Sequence, residues 1–140
     1  MTRSEAETLV TGLGAALGVK TALNPAGRAG LAVETASLFL RYHPETADLR
    51  CSALVYSFHS PPKPGLLEAL AAEEKAGTDT GGGQVDFDTS AQGLFLTRTY
   101  QRLPHPQQFV VEMKKLLKAS LKWADEVLPR VSEKVFHPAP

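Results

Sequence analysis

The segment VDFDTSAQGLFLTRTYQRLP (Val85–Pro104) decides the fold, because it contains two strand patterns joined by a turn. Its first four residues alternate apolar and polar side chains, as a half-buried strand does. In the run LFLTRTY, Phe95 is on the opposite side from Leu94, Leu96 and Tyr100. A hairpin with apolar side chains on both faces predicts that one face packs on helices and the other binds another chain.

Three more strands are predicted upstream, over Leu31–Val33, Ser37–His43 and Leu49–Phe58, and an antiparallel meander is their simplest topology. Apolar residues again occupy both faces. In the third of these strands, alternation predicts Leu54 and Tyr56 on one face, opposite smaller apolar side chains. The unusual feature of the hairpin therefore recurs through the sheet.

Three helices are predicted to accompany the strands. The first starts at a capping box formed by Ser4 and Glu7 and stops near Gly18. The second covers Leu66–Lys75, and the third extends from about Pro106 to Val131 with an apolar stripe on one side and lysines on the other.

The segments outside these elements carry three further predictions. The run AGTDTGGG, residues 76–83, is predicted to be a mobile loop, and it lacks the lysine and the following helix of a phosphate-binding loop. Pro129 is predicted to end the third helix early. Residues 1–131 are predicted to form a single domain, and residues 132–140 a flexible tail.

The composition is that of one globular domain. With 140 residues, 43% of them hydrophobic, the chain needs neither a metal nor a disulfide to fold. Its 15 basic residues balance 15 acidic ones, so no net field attracts nucleic acid or anionic lipid. Since it lacks a basic start and a long apolar segment, we expect a cytoplasmic protein with no membrane partner.

No motif for catalysis or metal binding is present in the sequence. Cys51 is predicted to be a buried, inert thiol. Asp86 and Asp88 share a strand face and are the best carboxylate pair, although alternation predicts that they face solvent. The histidines are scattered, without the spacing of a zinc site, at His43, His59, His105 and His137. We therefore predict no catalytic residue, no metal and no cofactor.

These elements make an α+β domain in the order α-β-β-β-α-β-β-α, with a five-stranded antiparallel sheet covered by helices on one face. The motifs from Leu66 through Trp123 are the most specific. They are GLLEALAAEE, the hairpin GGGQVDFDTSAQGLFLTRTY, a Leu103-Pro104 step, and MKKLLKASLK shortly before Trp123. In order and spacing the chain resembles the class I chaperones of bacterial type III secretion, the CesT-like or Tir-chaperone family. It departs from that family in being neutral rather than acidic.

The resemblance implies a homodimer that binds the extended N-terminal segment of a secreted effector, keeping it export-competent without ATP or catalysis. By position in the element order, the implied dimer interface consists of Leu66, Leu67, Leu70, Val85 and Phe87. The implied effector-binding residues are on the first helix and the sheet, namely Leu9, Leu13, Leu17, Leu31, Val33, Phe39 and Phe95.

Other interpretations stay open at this point. One is a small α+β enzyme that uses Asp86, Asp88 or His59, and another is a dimeric scaffold that binds a folded partner. The basic face of the last helix is explained most simply as a solvated surface, and contact with an export ATPase is left open. That face consists of Lys114, Lys115, Lys118 and Lys122.

Overall fold

The structure is a computed structural model that describes residues 1–136. Its elements follow the predicted α+β order, which is confirmed. They are α1 Arg3–Leu17, β1 Arg28–Val33, β2 Ala36–His43, β3 Asp48–Ser57, α2 Leu66–Lys75, β4 Gln84–Asp88, β5 Gly93–Tyr100, α3 Pro106–Lys122, a π-helical turn Trp123–Val127, and α4 Leu128–Phe136.

The five strands form one antiparallel sheet in the order β1-β2-β3-β5-β4. The meander predicted for the first three strands is therefore confirmed. After β3 the chain crosses the sheet through α2, and β5 rather than β4 returns to pair with β3. This crossing leaves β1 and β4 as the two edges.

The helices cover one face of the sheet, with α3 packed over β2, β3 and β5. Helix α1 packs beside α3 and over β1 and β2, while α2 packs on β4 and α4. The core between these layers contains the fully buried Phe109, Met113 and Trp123 facing Leu38 and Leu96. Burial of large apolar side chains on one face is the main stabilising contribution of this arrangement.

A β-bulge in β3 corrects the prediction that Leu54 and Tyr56 share a face. Leu54 is opposite Phe95, whereas Tyr56 is opposite the fully buried Leu94, with the register shifted between them. One extra residue on the bulged strand moves the side chains after it to the other side. Tyr56 therefore lies on the helix-covered face, edge to face with Phe58 at 4.8 Å between ring centroids.

Helix α1 begins two residues earlier than predicted. Its N-cap is Thr2, which forms the capping box with Glu5, so the predicted box of Ser4 and Glu7 is wrong. The side-chain hydroxyl of Tyr42 donates to the carbonyl oxygen of Met1 at 2.9 Å, which anchors the chain just before Thr2. The predicted stop is confirmed, because the C-cap Gly18 is left-handed with a φ of 74°.

Pro129 does not end the last helix. The π-helical turn Trp123–Val127 interrupts the regular backbone ladder just before it, and the N–H of Leu128 bonds to the carbonyl of Trp123. Pro129 is thus the second residue of α4, in a first turn where its missing N–H breaks no ladder bond. Residues 132–136, at the start of the segment predicted to be a flexible tail, continue α4 with Val135 and Phe136 packed against the core. Residues 137–140, and with them His137, are outside the described part.

The glycine-rich loop between α2 and β4 is packed and hydrogen-bonded, so its predicted mobility is wrong. The indole N–H of Trp123 donates to the carbonyl of Asp79 at 2.8 Å, and the Thr80 hydroxyl donates to the carbonyl of Gly83 at 2.6 Å. A Cβ at Gly81 would lie 2.5 Å from the carbonyl oxygen of Lys115. The glycines thus serve close packing on α3 rather than flexibility.

Candidate functional site

The face of the sheet away from the helices carries a pair of aromatic side chains, of which Phe39 is exposed and Phe95 partly buried. We call it the open sheet face. The rings of Phe39 and Phe95 meet across β3, edge to face with 6.1 Å between centroids, and Phe39 is 47% exposed. Between their strands lies the small Ser52, whose hydroxyl shares a 3.0 Å hydrogen bond with Thr97. An aromatic pair left in solvent on a sheet surface is an apolar patch that a partner chain could cover.

A shallow cavity of about 400 Å³ lies on the open sheet face beside these rings. Its other lining residues include Arg41 and Arg50 from the central strands and Asp86 from β4. Asp86 forms an ion pair with Arg50 at 3.2 Å across the cavity, which fixes the position of both side chains. The surface therefore combines an aromatic centre with a charged surround.

A second cavity, of about 490 Å³, lies on the opposite side of the molecule between α1 and α3. We call it the α1–α3 groove. It is lined mainly by the apolar side chains of Leu9, Leu13, Leu103 and Val110. Gly12 is part of the α1 side of the groove. A Cβ there would meet nothing within 4 Å, so the space beside it is open. Leu103 is 46% exposed, so the groove has an accessible apolar rim.

The structure distributes the predicted effector-binding residues over different surfaces. Phe39 and Phe95 are on the open sheet face, whereas Leu9 and Leu13 form the floor of the α1–α3 groove. Leu31 and Val33 are opposite Leu38 and Ala36 in the register and so lie on the helix-covered face, and Leu17 packs against the core. The seven residues therefore do not form one continuous site.

The residues of the predicted dimer interface also divide. Leu66 and Leu70 are 2% and 0% exposed in the single chain, so they belong to its own core and present no surface. Both point inward because α2 packs that side against β4 and α4. Leu67, Val85 and Phe87 are only partly buried and lie at or beside the β4 edge.

The sequence interpretation missed part of the α1–α3 groove. Leu103 was read as a connecting step before the last helix, and Val110 did not belong to the predicted apolar stripe. The sequence did contain a signal for this groove. Val110 and Val111 follow Phe109, so the apolar residues cover a wider arc of the helix than one buried stripe needs. Of these valines, Val111 is 44% exposed and lies outside the groove.

The two candidate carboxylates have structural partners, and so does one of the histidines. Asp86 is paired with Arg50, and the Asp88 carboxylate accepts hydrogen bonds from the backbone N–H groups of Ser90 and Ala91. His105 caps α3 by accepting from the backbone N–H of Gln107 at 3.2 Å.

The thiol and the described histidines lie at separate places in the fold. Cys51 is fully buried as predicted, and desolvation raises the pKa of its thiol far above the usual value. His43 borders the open sheet face, whereas His59 is exposed after β3. Within residues 1–136, no group of three or more potential metal ligands comes together.

A polar cluster links β5 to α3 next to the core. The Tyr100 hydroxyl donates to Glu112 at 2.8 Å, and the Arg98 guanidinium is 3.1 Å from the same carboxylate. Desolvation alone would raise the pKa of Glu112, but the hydrogen bonds from Tyr100 and Gln108 and the charge of Arg98 outweigh it and hold that pKa below the usual value. Burial and the hydrogen bond to Glu112 raise the pKa of Tyr100. The cluster fixes α3, and thereby one wall of the groove, to the sheet.

Solved structures share this fold. A chain in the crystal structure of the ExsC–ExsE complex is 18% identical, with 90% of this chain and 96% of that chain covered and a TM-score of 0.70. A chain in the structure of the HopA1–SchA chaperone–effector complex is 15% identical, with 88% and 95% covered and a TM-score of 0.66. The resemblance stated from the sequence is thus confirmed at the level of the fold.

Sequence comparisons add no relative. No protein-family model and no curated protein sequence matches the chain. Among residues 1–136, every helix is too short or too polar to cross a bilayer.

Proposed function

We propose that this protein is a cytoplasmic type III secretion chaperone that binds the extended N-terminal segment of an effector. It keeps that segment soluble and export-competent, and it acts as a homodimer without catalysis. The observation that carries the proposal is the fold, which 90% of this chain shares with a chain of the ExsC–ExsE complex. A second structure with this fold is a chaperone–effector complex. The property that we extend to this chain is the binding of an effector by a chaperone.

The α1–α3 groove suits apolar anchors of an unfolded client. Its volume of about 490 Å³ accommodates two or so large aliphatic or aromatic side chains, and its lining is mainly apolar. An extended chain presents every second side chain to one surface, so a client strand could place alternate anchors in the groove and leave its polar residues in water. Burial of those anchors keeps the client from aggregating.

Release without ATP fits the same physics. A disordered segment loses conformational entropy when it binds, which offsets several kcal/mol of the contact energy even over a large surface. The complex can therefore be specific and still dissociate when the export machinery pulls on one end. Contact of the lysine face with an export ATPase, which the sequence leaves open, is not part of this proposal.

Co-expression with the product of the adjacent gene tests the proposal. We expect the N-terminal segment of that product to co-purify with the chaperone, to remain sensitive to protease at unprotected positions, and to aggregate when expressed alone. Sizing by light scattering should give two copies of the chaperone for each client. Failure of the segment to co-purify, or capture of its folded domain instead, would contradict the proposed function.

A matched pair of variants tests the groove. Leu103 and Val111 are exposed to similar extents, 46% and 44%, but only Leu103 lines the α1–α3 groove. We expect Leu103→Asp to weaken client capture at least about tenfold, since it places a charge against the apolar anchors. Val111→Asp should leave capture unchanged. Equal effects of the two substitutions would exclude the groove as the client site.

A further inference from the structure

Three arginines form a row across the open sheet face. Arg28 on β1 is directly opposite Arg41 on β2, and Arg41 is directly opposite Arg50 on β3. Neighbouring strands are about 5 Å apart, so the three side chains leave the sheet within about 10 Å of one another. We call this set the arginine row. Like charges directly opposite each other destabilise a sheet, so we expect another interaction to compensate for the repulsion within the row.

The chain itself neutralises only one end of the row. Arg50 pairs with Asp86 at 3.2 Å, whereas no ion pair among residues 1–136 includes Arg28 or Arg41. Both are exposed, and both line the cavity beside Phe39 and Phe95. Two positive charges without an ion pair among the described residues thus adjoin the exposed Phe39 and the partly buried Phe95, in a protein whose net charge is zero.

We propose that the arginine row and the Phe39–Phe95 pair bind an acidic, aromatic-containing stretch of the client polypeptide. This inference rests on the proposed function and adds the chemistry of the segment that is held. Carboxylates of the client would bridge Arg28 and Arg41, where guanidinium groups bind them bidentately. Apolar client residues beside the carboxylates would cover the two rings. The row then serves as a second client site, on the opposite side of the sheet from the α1–α3 groove.

The shape and charge of the site favour a peptide over a polyanion such as nucleic acid. The row is short, and Asp86, which is paired with Arg50, and Asp88 line the same cavity, so the site is not uniformly positive as a polyanion would need. A peptide can match this pattern, because it can place acidic residues over the arginines and neutral residues over the aspartates.

The test uses the full chain and two fluorescein-labelled peptides. Both contain phenylalanines in a background of serine and glycine. They are identical except that one has aspartate where the other has lysine. We expect wild-type protein to bind the aspartate peptide at least about tenfold more tightly than the lysine peptide, and less tightly as salt is raised. The double variant Arg28→Glu with Arg41→Glu should lose this preference. The control Lys114→Glu with Lys118→Glu makes the same change of net charge on the exposed side of α3 and should keep it.

A second variant distinguishes the loss of the binding site from misfolding of the protein. Since Arg28, Arg41 and Arg50 repel one another in the free protein, Arg41→Gln should not lower the Tm but should still weaken the aspartate peptide. Equal binding of the two peptides, or an unchanged preference in the arginine double variant, overturns the inference. A poly-dT oligonucleotide that binds the row in place of the aspartate peptide overturns it as well.

The same variants separate this inference from the proposed function. If the adjacent-gene segment is captured equally by wild type and by the arginine double variant, the inference fails and the chaperone function stands. If wild type captures no segment but binds the aspartate peptide through the row, the chaperone function fails while the acidic-peptide site is supported.

Discussion

Gly81 allows the loop between α2 and β4 to lie directly on α3. Its φ is 65°, and a Cβ would lie 2.5 Å from the carbonyl oxygen of Lys115 and 2.9 Å from the Cα of Leu116. We expect Gly81→Ala to destabilise the protein by about 2–4 kcal/mol, because strain in the left-handed region adds to a backbone clash. Urea unfolding followed by circular dichroism would measure the loss.

Gly77 supplies the control for this substitution. It also has a positive φ, 95°, but a Cβ there would meet nothing within 4 Å. Gly77→Ala should therefore cost only about 1 kcal/mol, from the backbone conformation alone. Equal costs for the two substitutions would mean that the contact with α3 contributes nothing.

Glu112 predicts a pH dependence of stability. Its pKa is lower in the folded chain than in the unfolded chain, so its contribution is complete above the ordinary glutamate pKa and is lost as the pH falls through the folded pKa. Glu112→Gln removes this contribution. The difference in unfolding free energy between wild type and Glu112→Gln should thus be largest near neutral pH and shrink below about pH 4.

Urea titrations at several pH values would measure this difference, and Glu133→Gln, at an exposed position of α4, is the control. A difference that is constant with pH would show that Glu112 acts through packing alone. A stronger destabilisation of the control at neutral pH would contradict the role assigned to the cluster with Arg98 and Tyr100.

At the scale of elements, the strands and the order of the helices follow from the sequence. The β-bulge in β3 and the π-helical turn before α4 do not. Alternation along β2 and β5 was sufficient to predict both strands to within one residue. The bulge at Leu54 and Tyr56 leaves no local signal, because it depends on how β3 pairs with β5. The π-helical turn before Pro129 likewise depends on tertiary packing.

Only part of the candidate site could be predicted, because the site also depends on how separate elements pack. Phe39 and Phe95 were named through the resemblance, by their position in the element order, and alternation alone indicated only that Phe95 is on the opposite side of its strand from Leu94 and Leu96. The α1–α3 groove and the arginine row bring together residues from separate elements, so their positions follow from strand register and helix packing. Alternation alone could not have predicted that Arg28, Arg41 and Arg50 align across three strands.

Trp123 joins the π-helical turn to the glycine-rich loop through its hydrogen bond to the Asp79 carbonyl, 2.8 Å long. We expect Trp123→Phe to leave that carbonyl without its donor and to loosen the loop. Hydrogen exchange should speed up at the loop amides, including that of Gly81, which donates to the Asp79 side chain. Amides of β2 and β3 serve as the internal control, and a uniform increase over the whole chain would contradict a local role.

For the whole molecule, the two edges of the sheet are not equivalent. The edge of β1 is occupied by the preceding segment, since Asn24 donates to the Arg28 carbonyl at 2.8 Å and Thr21 to the Gly30 carbonyl at 3.3 Å. At the β4 edge, the N–H of Val85 donates outward to the Glu74 carboxylate. By alternation, the N–H of Phe87 faces the same way. We expect the β4 edge with the adjoining side of α2 to be the better surface for a second copy, because Leu67, Val85 and Phe87 are only partly buried there.

Leu67→Glu tests this assembly, because Leu67 is the partly exposed leucine of α2 beside the buried Leu66 and Leu70. A stable dimer must bury about 800 Å² on each copy, and a charge in the middle of such a patch is costly to desolvate. Light scattering should give twice the chain mass for wild type and a single chain mass for Leu67→Glu. Val111→Glu, at an exposed valine on α3, should remain dimeric. A dimer that Leu67→Glu leaves intact, while circular dichroism reports native secondary structure, would exclude this interface. A monomeric wild type would exclude the dimer itself, and the client would then be held by one copy alone.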